Sequence, residues 1–271
     1  MQLDQSRIAI RQRAWLENLD LALHVTRQHA GPLALSALVG VAPFALLNGW
    51  LLRDWLSLEA EPEAVVSFVW FYLWLMVAEL PLATSLITLY LGLALFNQRP
   101  TARQIARDFA RSLPQLILLQ ALLRGFLALP VITWLLLFIV WPYLNEIILL
   151  ERNPLRSDHR GQISTTKRSS ALHSATSGEL LLQALGSAML GGLLTIALWL
   201  GLGFAIGIFA GSWSASQRQY TILLPIAAWT VASFFAVVRF LSYLDLRIRR
   251  EGWEVELHLR AERARLTRQL A

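Results

Sequence analysis

Long runs of apolar residues alternate with short polar segments along this chain. Six runs are rich in Leu, Ile, Val, Phe and Trp, at residues 31–52, 66–96, 113–129, 130–150, 187–211 and 220–244. About 20 apolar helical residues cross the hydrocarbon core of a bilayer. Helices satisfy their own backbone polar groups, which lipid does not do. The pattern therefore predicts an all-α, polytopic integral membrane protein with about six transmembrane helices.

The region between residues 113 and 150 has two interpretations. Arg124, Gly125 and Pro130 interrupt one long apolar stretch. A single helix over this region would measure about 57 Å at 1.5 Å per residue, which exceeds a hydrocarbon core of about 30 Å. We therefore expect a turn near Pro130, which joins either two crossing helices or the two arms of a re-entrant hairpin.

The composition supports lipid as the surroundings of this chain. Of its 271 residues, 56% are hydrophobic and 15% are charged, compared with about 25% charged in an average soluble domain. The chain has no cysteine, which excludes disulfides and thiolate metal sites. The first 30 residues lack the short apolar core of a secretory signal peptide. The first spanning helix is therefore expected to direct insertion.

Lys and Arg fall mainly in segments that would share one side of the membrane. Twenty of the 24 basic residues lie in residues 1–30, 97–112, 151–186 and 245–271. The positive-inside rule places these segments, and so both termini, in the cytoplasm. The chain then divides into an amphipathic N-terminal helix (1–30), a six-helix transmembrane domain (31–244) and a basic C-terminal helix (245–271). Topology and anionic lipid explain the net charge of +6, so we expect no nucleic-acid partner.

Three cytoplasmic segments carry apolar residues at helical spacing, with charged residues on the other faces. The apolar positions are Trp15, Leu19, Ala22 and Leu23 in the first segment, Ile105, Phe109 and Leu113 in the second, and Trp253, Leu257 and Ala261 in the third. Basic amphipathic helices bind an anionic membrane surface, and the same faces dock protein partners. Both interpretations stay open, as does a short strand at residues 255–259.

Charged and polar residues inside the apolar runs are candidate functional residues, because burial in lipid is costly. They are Glu79, Asn145, Glu146, Arg239 and Asp245. Glu146 and Arg239 lie at similar depth, and each would be costly alone, so we predict that they pair across two helices. Glu79 precedes Pro81 by two residues. It is either a hydrogen-bonded carboxyl that braces a kink or part of a proton or cation pathway.

Three glycines follow one another at four-residue spacing in the fifth run. Gly203, Gly207 and Gly211 form a GxxxGxxxG array. Small residues at this spacing let a second helix approach closely. The array predicts helix packing, either within this chain or against a second copy.

Recognisable catalytic motifs do not occur. The sequence has no GxSxG, no glycine-rich phosphate loop and no HExxH motif. Its five histidines are scattered, without zinc-ligand spacing. We therefore expect no metal site, no cofactor and no catalytic residue, and hence a protein that is not an enzyme.

The chain resembles a known membrane family at several places. The segments PYLNEIILLERNPL (142–155), RSSALHSATSGELL (168–181) and YLDLRIRREG (243–252) carry the resemblance, together with the six-run layout. They are similar to integral-membrane proteins grouped with the membrane domain of glycerophosphodiester phosphodiesterases. The resemblance implies this fold and a bacterial inner-membrane location. In those enzymes a separate barrel of about 250 residues hydrolyses the substrate, so the resemblance implies no active-site residue here.

Three functional hypotheses fit these observations. The first is a non-enzymatic inner-membrane scaffold or subunit of an envelope-associated complex. It would contact the anionic inner leaflet and membrane or cytoplasmic protein partners. The alternative is a small permease or lipid-handling protein. The third is a membrane-embedded enzyme acting on lipid head groups, for which Asn145, Glu146, Arg239 and Asp245 are the candidate residues.

Overall fold

The described part of the chain is helical. The computed structural model describes residues 13–53, 62–95, 100–122, 142–155, 163–173, 177–211 and 219–251. Its helices are α1 (Trp15–Gln28), α2 (Ala30–Leu51), α3 (Pro62–Ala83), α4 (Ser85–Leu95), α5 (Ala102–Leu116), α6 (Leu144–Glu146), α7 (Thr165–His173), α8 (Ser177–Ala210) and α9 (Leu224–Glu251). Three π-helical segments extend them, at Ile117–Leu122, Ile147–Glu151 and Gln219–Leu223. These residues include no strand, so the all-α class is confirmed for them.

Four helical segments are long and apolar enough to cross a membrane. They are Ala30–Leu51, Glu63–Leu95, Gly178–Phe209 and Gln219–Glu251. These correspond to four of the six predicted runs. The second and fourth segments extend past the predicted ends at residues 66 and 244, and α8 begins ten residues before the predicted position 187.

The two remaining runs, 113–129 and 130–150, share a gap in the description. Residues 123–141, including the expected turn at Pro130, lie outside the described residues. The count of six spans and the choice between two helices and a hairpin therefore stay predictions. The amphipathic segment at 253–261 and the strand alternative at 255–259 also lie outside the described residues.

Helix α9 is the central element of the described bundle. It packs against α8, α1 and α4, and Val237, Phe240 and Tyr243 on it are at most 2% exposed. Its side chains form one apolar core with residues of α1, α2, α4 and α7. The helix continues without interruption through residue 245, where the sequence predicted a separate C-terminal helix to begin.

The predicted second span is divided at Thr84, which separates α3 from α4. Pro81 lies in the last turn of α3 and has no N–H to donate to the helix. The hydroxyls of Thr84 and Ser85 donate to the carbonyls of Leu80 and Pro81 at 2.7 and 2.6 Å. The Leu80 carbonyl also accepts from the Thr84 N–H at 3.0 Å, and the Thr84 carbonyl accepts from the Thr88 N–H at 3.3 Å. Backbone hydrogen bonds therefore continue across Thr84, and the two hydroxyls add to them.

The apolar face of α5 and part of that of α1 contact the protein itself, whereas Leu23 on the predicted face of α1 is 60% exposed. Ala22 of α1 is 0% exposed in the main core, and Leu19 packs beside it. Ile105 and Phe109 of α5 pack against a second core that includes Leu149. The sequence predicted a membrane surface or a partner for these faces. Amphipathic periodicity reports an apolar neighbour without distinguishing lipid from another helix of the same chain.

Candidate functional site

The predicted ion pair between Glu146 and Arg239 is present. Arg239 Nε donates to Glu146 Oε1 at 2.6 Å, and Arg239 Nη2 donates to Thr84 Oγ1 at 3.3 Å. The Glu146 side chain is 0% exposed and that of Arg239 is 19% exposed. Thr84 thus supplies a second acceptor, and polar bonds connect α6 and α9 to the junction between α3 and α4.

Buried polar atoms beside this pair have no hydrogen-bond partner among the described residues. They are both side-chain polar atoms of Asn145 and Oε2 of Glu146. Buried polar groups are normally hydrogen-bonded, so each such atom calls for an explanation. Asp245, the other predicted polar residue on α9, belongs to a different group. It accepts from the Arg13 N–H at 2.8 Å and pairs with Arg249 Nη2 at 3.0 Å.

Glu79 is hydrogen-bonded inside the bundle. Asn48 Nδ2 donates to Glu79 Oε2 at 2.8 Å, which connects α2 to α3. Asn48 is 3% exposed and Glu79 is 8% exposed. The predicted hydrogen-bonded carboxyl is therefore present, with a partner that sequence reasoning missed. The signal was available, because Asn48 and Ser36 are the polar residues of the first apolar run.

A network of charged residues joins three elements at one end of the bundle, which we call the basic end. Arg168 of α7 donates to Glu151 from Nε at 2.6 Å and from Nη2 at 3.0 Å, and it also bonds Glu251. Arg247 Nη2 donates to Glu251 Oε2 at 2.7 Å. The Tyr243 hydroxyl donates to Glu151 Oε1 at 2.7 Å. Sequence reasoning missed this network.

The network shifts the titration of its members at the basic end. Burial alone raises the pKa of Glu151, but hydrogen bonds from Arg168 and Tyr243 and the charge of Arg247 outweigh it and lower the pKa below its usual value. The hydrogen bond to Glu151 raises the pKa of the Arg168 guanidinium. Both groups are therefore held in their charged forms.

His173 of α7 lies beside the network as a buried neutral ring. Its Nδ1–H donates to the Ser169 carbonyl at 2.6 Å, and the ring stacks on Tyr143 at 5.8 Å between centroids. Burial lowers the pKa of His173, although the bond to Ser169 opposes this. The ring acts as packing at neutral pH.

The glycines of the predicted array have different surroundings. A Cβ added at Gly203 would meet the Gln219 side chain at 3.7 Å, and Gly207 is buried. Gly203 and Gly207 help to line a cavity of about 460 Å³ beside Trp199. Gly211 follows the end of α8 with φ +65°, a left-handed conformation that suits glycine after a helix.

A second cavity of about 410 Å³ opens beside α5 at the basic end, and its wall contains four arginines. Within the described residues, no three His, Asp or Glu side chains are arranged to hold a metal ion.

No family model matches this chain, and no curated protein or solved structure is significantly similar to it. Function is therefore inferred from the chain's own chemistry.

Proposed function

We propose that the protein is a non-enzymatic scaffold or subunit of an envelope-associated assembly in a bacterial inner membrane, with both termini in the cytoplasm. The observation that carries this proposal is a stripe of exposed apolar side chains on α8. Its members, called the α8 stripe, are Leu182, Met189, Leu193, Leu200 and Phe204, each at least 58% exposed. A scaffold works through such surfaces and needs no reactive site.

The α8 stripe follows one face of a helix on which other apolar side chains, among them Ile196, Ile208 and Phe209, are also exposed. Its members follow one another by seven, four, seven and four residues, which keeps them on one face of a helix. The stripe covers about 33 Å at 1.5 Å per residue, slightly more than a hydrocarbon core of about 30 Å. Lipid and a helix of another subunit both fit a stripe of this length, and the scaffold proposal assigns it to a helix.

The interior of the bundle supports the same proposal. The intramembrane charges that the sequence singled out bond within the chain, Glu146 to Arg239 and Glu79 to Asn48. Charges that are paired in this way stabilise helix contacts and offer little to a substrate. The resemblance to the membrane domain of glycerophosphodiester phosphodiesterases is consistent with this proposal. In those enzymes the membrane domain is not catalytic, and a separate domain performs the hydrolysis.

Photo-crosslinking in native membranes tests the scaffold. A photoreactive residue at Leu193, which is 63% exposed on α8, should give a discrete protein adduct. The same residue at Leu46, which is 76% exposed on α2, is the matched control and should give lipid adducts. Lipid adducts at both positions, together with purification of the isolated chain in mild detergent, would contradict the proposal.

A small permease or lipid-handling protein is the second candidate. The polar atoms of Asn145 and Glu146 that have no hydrogen-bond partner in the described part of the chain favour it, because a translocated polar solute needs such atoms. Proton flux in proteoliposomes, compared with empty liposomes, tests this candidate. Flux that falls at least about tenfold in Glu79→Gln or Asn145→Leu would support the permease, whereas flux equal to that of empty liposomes would count against a proton pathway.

A further inference from the structure

We propose that the cavity beside α5 binds the phosphate of an anionic phospholipid headgroup. This cavity, called the arginine cavity, has a volume of about 410 Å³. The residues that carry the argument are Thr101, Arg103, Arg107, Asp108, Arg111 and Arg152. The inference is independent of the scaffold role, because it concerns a different surface and a small ligand.

The arginine cavity carries surplus positive charge. Arg103, Arg107 and Arg111 recur every fourth residue on the exposed face of α5, about 6 Å apart along the axis. Among the described residues, no carboxylate lies within ion-pair distance of these three. Like charges at this spacing destabilise a helix slightly. An anion in the cavity would reverse that cost.

Arg152 also lines the arginine cavity, and its side chain is 55% exposed and paired with Asp108. Its Nη2 donates to Asp108 Oδ2 at 2.7 Å, and Asp108 is only 6% exposed. Its backbone has φ +54°, a left-handed conformation that is uncommon outside glycine. Asp108 therefore neutralises one arginine, and the other three guanidinium groups have no carboxylate partner among the described residues.

Phosphate is the anion that this arrangement suits. Guanidinium groups donate paired N–H groups to phosphate oxygens, and the resulting hydrogen bonds are short and strong. The cavity extends along α5 from Thr101 to Arg111, and one end of it lies at the beginning of the helix, where Thr101 Oγ1 accepts from the Gln104 N–H at 3.3 Å. The positive end of the helix dipole adds to the attraction. The volume is within the range of about 300–1,000 Å³ for small-molecule pockets.

The position of the cavity favours a lipid as the source of the phosphate. The chain enters α5 shortly after the spanning segment that ends at Leu95, and α5 continues directly into the apolar π-helical segment Ile117–Leu122. Leu118 and Leu122 on that segment are 46% and 61% exposed. Leu118 lies about 11 Å along the helix from Arg111. A headgroup in the cavity would thus lay its acyl chains against these leucines.

Lipid titration of the full chain in detergent, followed by native mass spectrometry, tests the proposal. Phosphatidylglycerol should bind at least about tenfold more tightly than phosphatidylcholine. The triple variant Arg103→Gln/Arg107→Gln/Arg111→Gln should lose at least about tenfold in phosphatidylglycerol affinity. Glutamine is a good helix former, so α5 should persist, which circular dichroism and gel filtration would check.

A matched triple variant separates the cavity from general charge. Arg27→Gln/Lys167→Gln/Arg250→Gln also removes three exposed charges that lie outside the cavity, and its affinity should stay within about twofold. Asp108→Asn should bind phosphatidylglycerol more tightly, because it raises the charge surplus. Equal losses in the two triple variants would overturn the proposal. Displacement of phosphatidylglycerol by millimolar inorganic phosphate would overturn the assignment to lipid.

Discussion

Two groups of arginines lie at the basic end and differ in their surroundings. Arg168 and Arg247 lie between Glu151 and Glu251, and their side chains are 22% and 12% exposed. Arg103, Arg107 and Arg111 project from α5, and no carboxylate partner occurs for them among the described residues. The positive-inside rule counts both groups alike. The structure separates them into paired arginines, which join elements, and cavity arginines, which are available to a ligand.

The two groups of arginines differ in the surroundings that remain when an arginine is substituted. Removing a paired arginine exposes a buried carboxylate that has lost its counter-charge, and such a change is strongly destabilising. Removing an exposed arginine leaves only a solvated surface, where most substitutions change stability by less than about 0.5 kcal/mol. Arg239 extends the paired group into the apolar segment Gln219–Glu251, because Glu146 is its buried partner.

The largest effect is expected for Arg239→Met. This change leaves the carboxylate of Glu146 buried without its cation, and it should lower the free energy of unfolding by about 3–5 kcal/mol. Thermal or denaturant unfolding in detergent measures it. The double variant Glu146→Gln/Arg239→Met removes the unpaired charge and should recover at least half of the loss. A double variant that is no more stable than the single one would contradict a coupled pair.

Arg168→Gln should have the next largest effect. It removes a two-bond contact to Glu151 and the contact to Glu251, so the free energy of unfolding should fall by about 2 kcal/mol. Lys167→Gln is the matched control at the adjacent exposed position, with an expected change below about 0.5 kcal/mol. Equal changes in the two variants would erase the distinction between paired and solvated cations.

Acid should weaken the paired group in a defined pH window. The pKa of Glu151 is lowered in the folded protein from its usual value of about 4.5, so its contribution to stability is complete above that pH and is lost as the pH falls through the folded pKa. The effect should be smaller than that of Arg168→Gln, because protonation keeps the side chain in place. Unfolding curves from pH 7 downward measure it. Glu151→Gln should flatten the dependence below about pH 4.5, and an unchanged dependence would contradict this assignment.

Some features of the fold and the site could be predicted from the sequence because each rests on a local penalty. A long apolar run has one favourable solvent, which is why four predicted spans have counterparts in the structure. Glu146 and Arg239 are each costly in lipid, and equal depth makes them partners. Pro81 signalled that the second run would be irregular. In each case, the position of the residue within its own apolar run contains the information, even for Glu146 and Arg239, which are 93 positions apart.

Other features depend on which elements meet, and sequence pattern does not contain that information. Arg168 contacts Glu251 across 83 positions of the chain, and no local pattern selects this acid from the others. Asn48 and Glu79 were both visible as polar residues in apolar runs, but their contact depends on how α2 packs on α3. The same holds for α5, whose amphipathic pattern predicted an apolar neighbour without identifying it as the chain's own core.

The smallest expected effect tests the cavity arginines most directly. Arg107→Gln removes the middle of three like charges on α5, so the free energy of unfolding in lipid-free detergent should stay the same or rise by up to about 0.5 kcal/mol. Phe109→Ala removes a partly buried ring on the packed face of the same helix. It should be destabilising by at least about 1 kcal/mol, which shows that the assay detects α5. A loss above about 1 kcal/mol in Arg107→Gln would place Arg107 among the paired arginines. The surplus charge that makes the cavity a phosphate site would then be smaller by one.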